Sequence, residues 1–310
     1  MKFYRKASRF ISIVIVLCMA AICFDAGAVS SYAAASAASA KRPQYIAHRG
    51  LSAKAPENTL AAFKLAADDS NFYGVEFDIW ESSAEPAFRT ETETFIDEDG
   101  NEQVRTREVP NDPLILVMHN SSIKRMCGVK KKIRTISRSD LDSCTIISGK
   151  RVSLYSGQKI PTVEQALDTI RSGSGNAVPV IELKHRFSER GLKYLMTLLG
   201  DRKAVIISFN FNAVADAARI ARSMGIGNNI QTMYLMDKLP KKKYSSTIRK
   251  MKKADIDCLS LDYTKLKKTT VKRFHKAGLK VCVWTLPSRK KARKCARMGV
   301  DYITANGAIY

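Results

Sequence analysis

Five residues able to do acid–base or metal chemistry stand within or just after short apolar runs: His48, Glu76, Asp78, His119 and Glu182. Ile46-Ala47 runs into His48-Arg49-Gly50, Gly74-Val75 into Glu76-Phe77-Asp78, Leu114–Met118 into His119, and Val178–Ile181 into Glu182-Leu183-Lys184. Side chains two apart on a strand share a face, so the carboxylates of Glu76 and Asp78 point the same way. Three converging carboxylates repel one another unless a cation lies among them, and hard oxygen ligands in that number suit one divalent cation, Ca2+ or Mg2+, rather than zinc. Two histidines titrate near neutrality and can act as general base and general acid. Arg49 offers a bidentate fork and Lys184 a point charge to a phosphate. Together these groups describe phosphoryl transfer. Each has a bland reading when taken alone: a structural histidine, a solvated Glu-x-Asp edge, a surface lysine, and a core tryptophan at Trp284. Packing alone does not account for their recurrence at the ends of separate runs.

Such residues need strands to hold them. Apolar runs rich in Val and Ile occur at Tyr45–Ala47, Val75–Ile79, Leu114–Met118, Val178–Leu183, Val205–Phe209, Gln231–Leu235, Cys258–Leu261, Lys280–Thr285 and Tyr302–Thr304, and they read as strands covered on both faces. Helical patterns fill several gaps: Thr59–Ala67, Ser188–Leu199, Asn212–Ser223, Lys265–Ala277 and Arg289–Met298. Gly278 and Gly299 stand where helix-ending glycines belong. Strand–helix units repeated over about 265 residues predict an α/β fold, a (β/α)8 TIM barrel. Nine strand candidates compete for eight places, so one is a hairpin partner, a rim strand or an error. Residues 85–112 break the rhythm: Phe88–Ile96 alternates, turns at Asp97–Asn101 and returns as Glu102–Val109. This predicts a polar β-ribbon insertion after the second strand. A second excursion runs from Ser121 to Ile160.

The net charge of +23 comes largely in clusters, at Lys130–Lys132, Lys241–Lys243, Lys267-Lys268 and around Arg289–Lys294. It favours polyanionic surroundings such as an anionic cell wall or membrane surface. The basic clusters lack interleaved aromatics, which argues against a nucleic-acid partner. Residues 1–40 predict export: a basic start (Lys2, Arg5, Lys6, Arg9), fourteen uncharged residues from Ile11 to Phe24, then Ala-x-Ala sites. The alternative is a retained anchor through residues 11–28. Removing residues 1–40 takes away four basic groups and one acid, which leaves +20 on residues 41–310, the expected catalytic domain. Five cysteines remain there without CxxC spacing, so zinc finds no support; Cys282 reads as a small buried hydrophobe, and a Cys127–Cys144 bridge is conceivable.

The stretch Ile46–Ala61 (IAHRGLSAKAPENTLA) resembles the opening signature of the glycerophosphodiester phosphodiesterase family: His-Arg-Gly, a short loop, then Pro-Glu-Asn-Thr at the first helix. The Glu-x-Asp pair, the lone His119, Ile160–Glu164, Glu182-Leu183-Lys184, Ser208-Phe209-Asn210, Val283-Trp284-Thr285 and Gly299-Val300-Asp301 follow in the family's order, to about Gly307. The resemblance implies a TIM barrel hydrolysing glycerophosphodiesters to an alcohol and glycerol 3-phosphate; the charge and the expected export extend the expected substrates from small to polymeric glycerophosphodiesters. By residue, the resemblance implies His48 and His119 as the acid–base pair, Glu76, Asp78 and Glu182 as metal ligands, and Arg49 and Lys184 on the phosphate. Glu57 would lie near the metal or brace the first loop, and Trp284 would wall the glycerol side. Two departures stand out. Asn120 follows His119 where the family usually has Asp, and Glu81-Ser82 with the acidic ribbon replaces a Thr-x-Asp-Gly turn, so the ribbon is expected to narrow or extend the substrate site. The other readings are a phospholipase C- or D-like lipid phosphodiesterase with an apolar rim, and a catalytically weakened basic binding module, for which Asn120 is the hint.

Overall fold

A computed structural model describes residues 42–310 apart from 85 and 87; the expected export segment or anchor lies outside the described residues. Eight parallel strands form a closed ring. They are β1 (Gln44–Ala47), β2 (Phe72–Glu81), β6 (Val178–Leu183), β7 (Ala204–Ser208), β8 (Ile230–Met236), β9 (Cys258–Asp262), β10 (Lys280–Leu286) and β11 (Tyr302–Ala305). β1 closes the ring by pairing with β11 on one side and β2 on the other. This is the (β/α)8 TIM barrel expected from the strand–helix rhythm.

The helices α1 (Leu60–Ala67), α3 (Val163–Arg171), α4 (Glu189–Leu199), α5 (Phe211–Ser223), α6 (Tyr244–Lys253), α7 (Lys268–Lys276) and α8 (Arg289–Ala296) cover the outside of the ring. Their starts follow local chemistry. Thr59, Thr162, Ser188, Asn210 and Ser288 each accept a backbone N–H of the first turn with the side-chain oxygen, as N-caps do. Side chains pointing into the barrel, among them Ile46, Val180, Ile207, Met233, Leu235 and Cys282, make a packed interior below the mouth. All five described cysteines are buried and free, so the conceivable Cys127–Cys144 bridge is not formed.

The surplus strand is β5 (Ile115–Val117). It pairs antiparallel with the upper end of β2, Ile79 opposite Val117 and Glu81 opposite Ile115. The predicted ribbon is present as β3 (Phe88–Ile96) and β4 (Glu102–Pro110), antiparallel throughout. The chain therefore rises along β2, leaves through the ribbon, and descends along β5. His119 thus does not close a parallel barrel strand, as the apolar run before it suggested; it is lowered into the mouth from the rim. Two bonds fix the descent: the Met118 N–H donates to the Asp78 carbonyl at 3.0 Å, and Trp80 Nε1 donates to the Met118 carbonyl at 2.7 Å. The excursion after His119 opens with the short helix α2 (Lys124–Cys127) and builds a satellite core around Ile123, Met126, Ile133, Ile136 and Ile146.

Candidate active site

The barrel's carboxyl-terminal mouth holds a cavity of about 240 Å3, whose lining includes His48, Arg49, Glu76, His119, Glu182, Lys184 and Trp284. Its geometry starts from strand register. Glu76 and Asp78 face inward from β2, and Asp78 lies opposite Glu182 of the neighbouring β6. Glu76 is 1% exposed, Asp78 0% and Glu182 8%, and one oxygen from each lies within 4.8 Å of the others.

Each acid is held. The Arg49 backbone N–H donates to Glu76 Oε2 at 2.6 Å. Asn58 clamps Asp78 twice, Nδ2 donating to Oδ2 at 2.7 Å and Oδ1 accepting the Asp78 backbone N–H at 3.2 Å. Lys184 Nζ donates to Glu182 Oε1 at 2.8 Å and lies 3.3 Å from Asp78 Oδ1. The His-Arg-Gly spelling has a backbone reason: Arg49 and Gly50 both have positive φ, +56° and +73°, and a Cβ on Gly50 would meet the Ala62 backbone at 2.6 Å. Only glycine fits such an approach without strain, and the turn aims the Arg49 N–H at Glu76.

Two buried oxygens in this cluster, Glu76 Oε1 and Asp78 Oδ1, accept no hydrogen bond. Buried polar atoms are seldom left so. Three oxygen donors with vacant lone pairs, two already steered by Asn58 and Arg49, fit a hard divalent cation. The electrostatics agree. Burial and the Asp78 and Glu182 charges push Glu76 well above the usual carboxylate range. Burial and the Asp78 charge push Glu182 up to about 7, against Lys184. Burial would raise Asp78 as well, but Lys184 and Arg49 outweigh it and hold it at about 2.

The two histidines flank this cluster. His48 Nδ1 lies 2.6 Å from Asn306 Oδ1. A carbonyl oxygen can only accept, so Nδ1 carries the hydrogen and Nε2 is left with a free lone pair. Burial, then the Arg49 charge, lowers the His48 pKa to about 4. Burial also lowers His119, with Asp78 opposing and Lys184 adding to the effect.

The other expected residues divide. Glu57 is outside the three-carboxylate cluster and braces the first loop: its Oε1 accepts from Arg49 Nη1 at 3.0 Å and from Arg125 Nη2 at 2.5 Å. Asn120 does not orient the His119 ring, because its Oδ1 accepts from Arg125 Nε at 2.7 Å. Trp284 walls the cavity, edge-on to Phe209 with ring centroids 5.3 Å apart, and its Nε1 has no partner. Glu81 is structural, accepting both the backbone and side-chain donors of Ser188 at the start of α4. Ser208 and Asn210 are structural too: Ser208 donates to the Leu183 carbonyl, and Asn210 caps α5. No described residue of the ribbon lines the cavity. Asn58, Arg125 and Asn306 escaped sequence reasoning. Asn58 carried a signal, standing inside the Pro-Glu-Asn-Thr stretch with nothing local to do.

Comparison with known proteins converges on one group. The family model described as the glycerophosphoryl diester phosphodiesterase family matches residues 109–307, a span holding His119, Glu182, Lys184 and Trp284. A glycerophosphodiester phosphodiesterase of Caldanaerobacter subterraneus subsp. tengcongensis is 22% identical over 268 residues, 83% of this chain and 91% of that one. An Oleispira antarctica phosphodiesterase, solved in complex with the product sn-glycerol-3-phosphate, superposes with a TM-score of 0.64 at 22% identity, covering 86% of this chain and 93% of its own. A glycerophosphodiester phosphodiesterase from Thermotoga maritima gives 0.56 at 22% identity, covering 85% and 94%. At these identities the solved structures establish a shared barrel.

Proposed function

We propose, since this chain belongs to the glycerophosphoryl diester phosphodiesterase family, that its mouth hydrolyses glycerophosphodiesters to an alcohol and glycerol 3-phosphate with the help of one divalent cation. The observation that carries this reading is the meeting of three buried carboxylates, two with an oxygen that accepts no hydrogen bond, and two cavity-lining histidines at one end of the barrel. Glu76, Asp78 and Glu182 would hold the cation, which when bound offsets negative charge on a phosphate oxygen.

The chain's own groups supply the rest. Arg49 and Lys184 border the cavity and neutralise the phosphate. With its pKa near 4, His48 is neutral at pH 7, and its Nε2 can take a proton from the attacking water as the new P–O bond forms. His119, whose pKa a bound phosphate raises, returns a proton to the departing alkoxide oxygen as the second P–O bond breaks. Trp284 and Phe209 give an apolar wall for the glycerol carbons. Phe209 is the one large exposed hydrophobic among the described residues that line the cavity, which falls short of the continuous apolar lining a lipid-cleaving reading needs.

Hydrolysis of glycerophosphocholine should require a divalent cation and stop on chelation, with activity restored by Ca2+ or Mg2+; turnover indifferent to a chelator would refute the metal role. We also propose that residues 1–40 direct export. Expression with these residues intact should deliver the protein, shortened at its amino terminus or anchored, to the envelope or medium, and full-length soluble protein confined to the cytoplasm would sink the idea.

A further inference from the structure

The positive charge is not spread evenly around the barrel. Residues 241–297, which span α6, α7 and α8, hold twenty Lys or Arg against three Asp and no Glu. All twenty basic side chains are exposed. Elsewhere a dozen basic groups of the described residues pair with acids, as in Lys193–Glu189, Arg186–Asp216 and Arg105–Glu93. On this side even Asp255 pairs outward, with Arg222.

The placement of the charges says more than their number. In a (β/α)8 barrel the loop after each strand, and the start of each helix, lies at the catalytic mouth. Lys241–Lys243 occupy the loop leading into α6, Lys267 and Lys268 the start of α7, and Arg289–Lys291 the first turn of α8. None of these three helices has an acid in its first turn, whereas α3 and α4 have Glu164 and Glu189 there. Cations at a helix start oppose the macrodipole and one another, so this arrangement costs folding free energy that an anionic partner would recover. The rim adjoins the cavity directly, since Asp237 after β8 and Trp284-Thr285 of β10 line it.

We propose that this rim is an extended substrate subsite for a flexible chain of linked phosphodiesters, which holds neighbouring phosphates while one unit occupies the cavity. A linear polyanion suits the surface better than a bilayer does. The charge continues down the outer faces to Lys252, Lys253, Lys276 and Arg297 near the far ends of the helices, over about 12–15 Å that a flat membrane cannot follow. None of the large exposed apolar side chains of the described residues falls within 241–297, so this side lacks the insertion points an interfacial binder uses.

The proposal rests on the phosphodiesterase reading for its chemistry but not for its binding, and the test separates the two. Binding of a polyglycerol phosphate chain is measured first with the cation chelated, at rising NaCl, for the full protein and for a Lys242→Gln/Lys268→Gln/Lys290→Gln variant. Losing three phosphate contacts should flatten the slope of log affinity against log salt by about 2. With cation restored, the ratio of polymer to glycerophosphocholine turnover should fall about tenfold in the variant. An unchanged salt slope or an unchanged ratio would overturn the subsite. So would tight binding to phosphatidylglycerol vesicles, lost in the variant, with no affinity for the polymer. Salt-sensitive polymer binding without hydrolysis of either substrate would uphold the rim and refute the phosphodiesterase reading instead.

Discussion

His48→Ala is expected to lower kcat on glycerophosphocholine by about 10²–10⁴-fold, the usual range for a positioned general base, with little change in KM. The thermal transition should stay within a few degrees, because the ring is held by a single side-chain contact, to Asn306. The same contact yields a sharper variant. Asn306→Asp places a carboxylate against His48 Nδ1, and a nearby negative charge favours the protonated ring. At saturating cation, kcat/KM of the wild type should fall off on its acid limb near pH 4, where the free base protonates. In Asn306→Asp that limb should move to higher pH while activity above pH 8 is largely kept. A limb that stays in place would remove His48 from the role of base, and a His48→Ala enzyme with full turnover would remove it from the mechanism.

The second large effect is a pH-dependent stabilisation by the cation. In the cation-free protein, Glu182 has a folded pKa of about 7, raised by burial and the charge of Asp78, against an unfolded value near 4.3. A group raised in this way contributes stability that is complete below the unfolded pKa and is lost as pH rises through 7. His48 acts in the opposite sense: its pKa is depressed to about 4, so its contribution is present above about 6.5 and fades as pH falls. The Tm without cation should therefore decline between about pH 6 and pH 8, through Glu182. A divalent cation present at one hundred times its Kd adds about 2.7 kcal/mol, a Tm rise of roughly 5–10 °C for a domain of this size. That rise should be greatest at pH 8 and shrink towards pH 5, where protons compete for Glu76 and Glu182. Glu182→Gln should raise the cation-free Tm at pH 8 and abolish the cation response. A cation-induced shift of equal size at pH 5 and pH 8, or one that survives Glu182→Gln, would place the ion elsewhere.

Much of this barrel could be read in advance because its strands are buried on both faces, and burial of that kind writes itself as continuous Val and Ile. The predicted Val178–Leu183 strand matches β6 residue for residue. The direction of a strand leaves no such mark: β5 is as apolar as its neighbours, and only its pairing with β2 reveals that it runs down from the rim. Helix α6 went unread because Tyr244, Ile248 and Met251 carry the right spacing for a buried stripe but stand among so many lysines that the period is diluted. In the site, the candidate reacting groups were legible because each interrupts or closes an apolar run. Their supports were not. Arg125 acts on Glu57 from 68 positions away and Asn306 on His48 from 258, and neither interrupts a run. The ribbon was legible as structure from its alternation, yet its distance from the cavity depends on how the barrel carries it.

The bond from His48 to Asn306 also has a bearing on time. His48 follows the first strand of the ring and Asn306 the last. Until β11 is inserted, β1 has β2 as its sole strand neighbour, and the sheet is open with two unpaired edges. A chain emerging from the ribosome can assemble the three carboxylates on β2 and β6 well before then, since Asn306 lies 124 positions after Glu182. What it lacks is the acceptor that sets the tautomer of the base. On the proposed mechanism catalytic competence is then coupled to closure of the ring, and recovery of activity after denaturation should report the pairing of β1 with β11 rather than the formation of the barrel's first half.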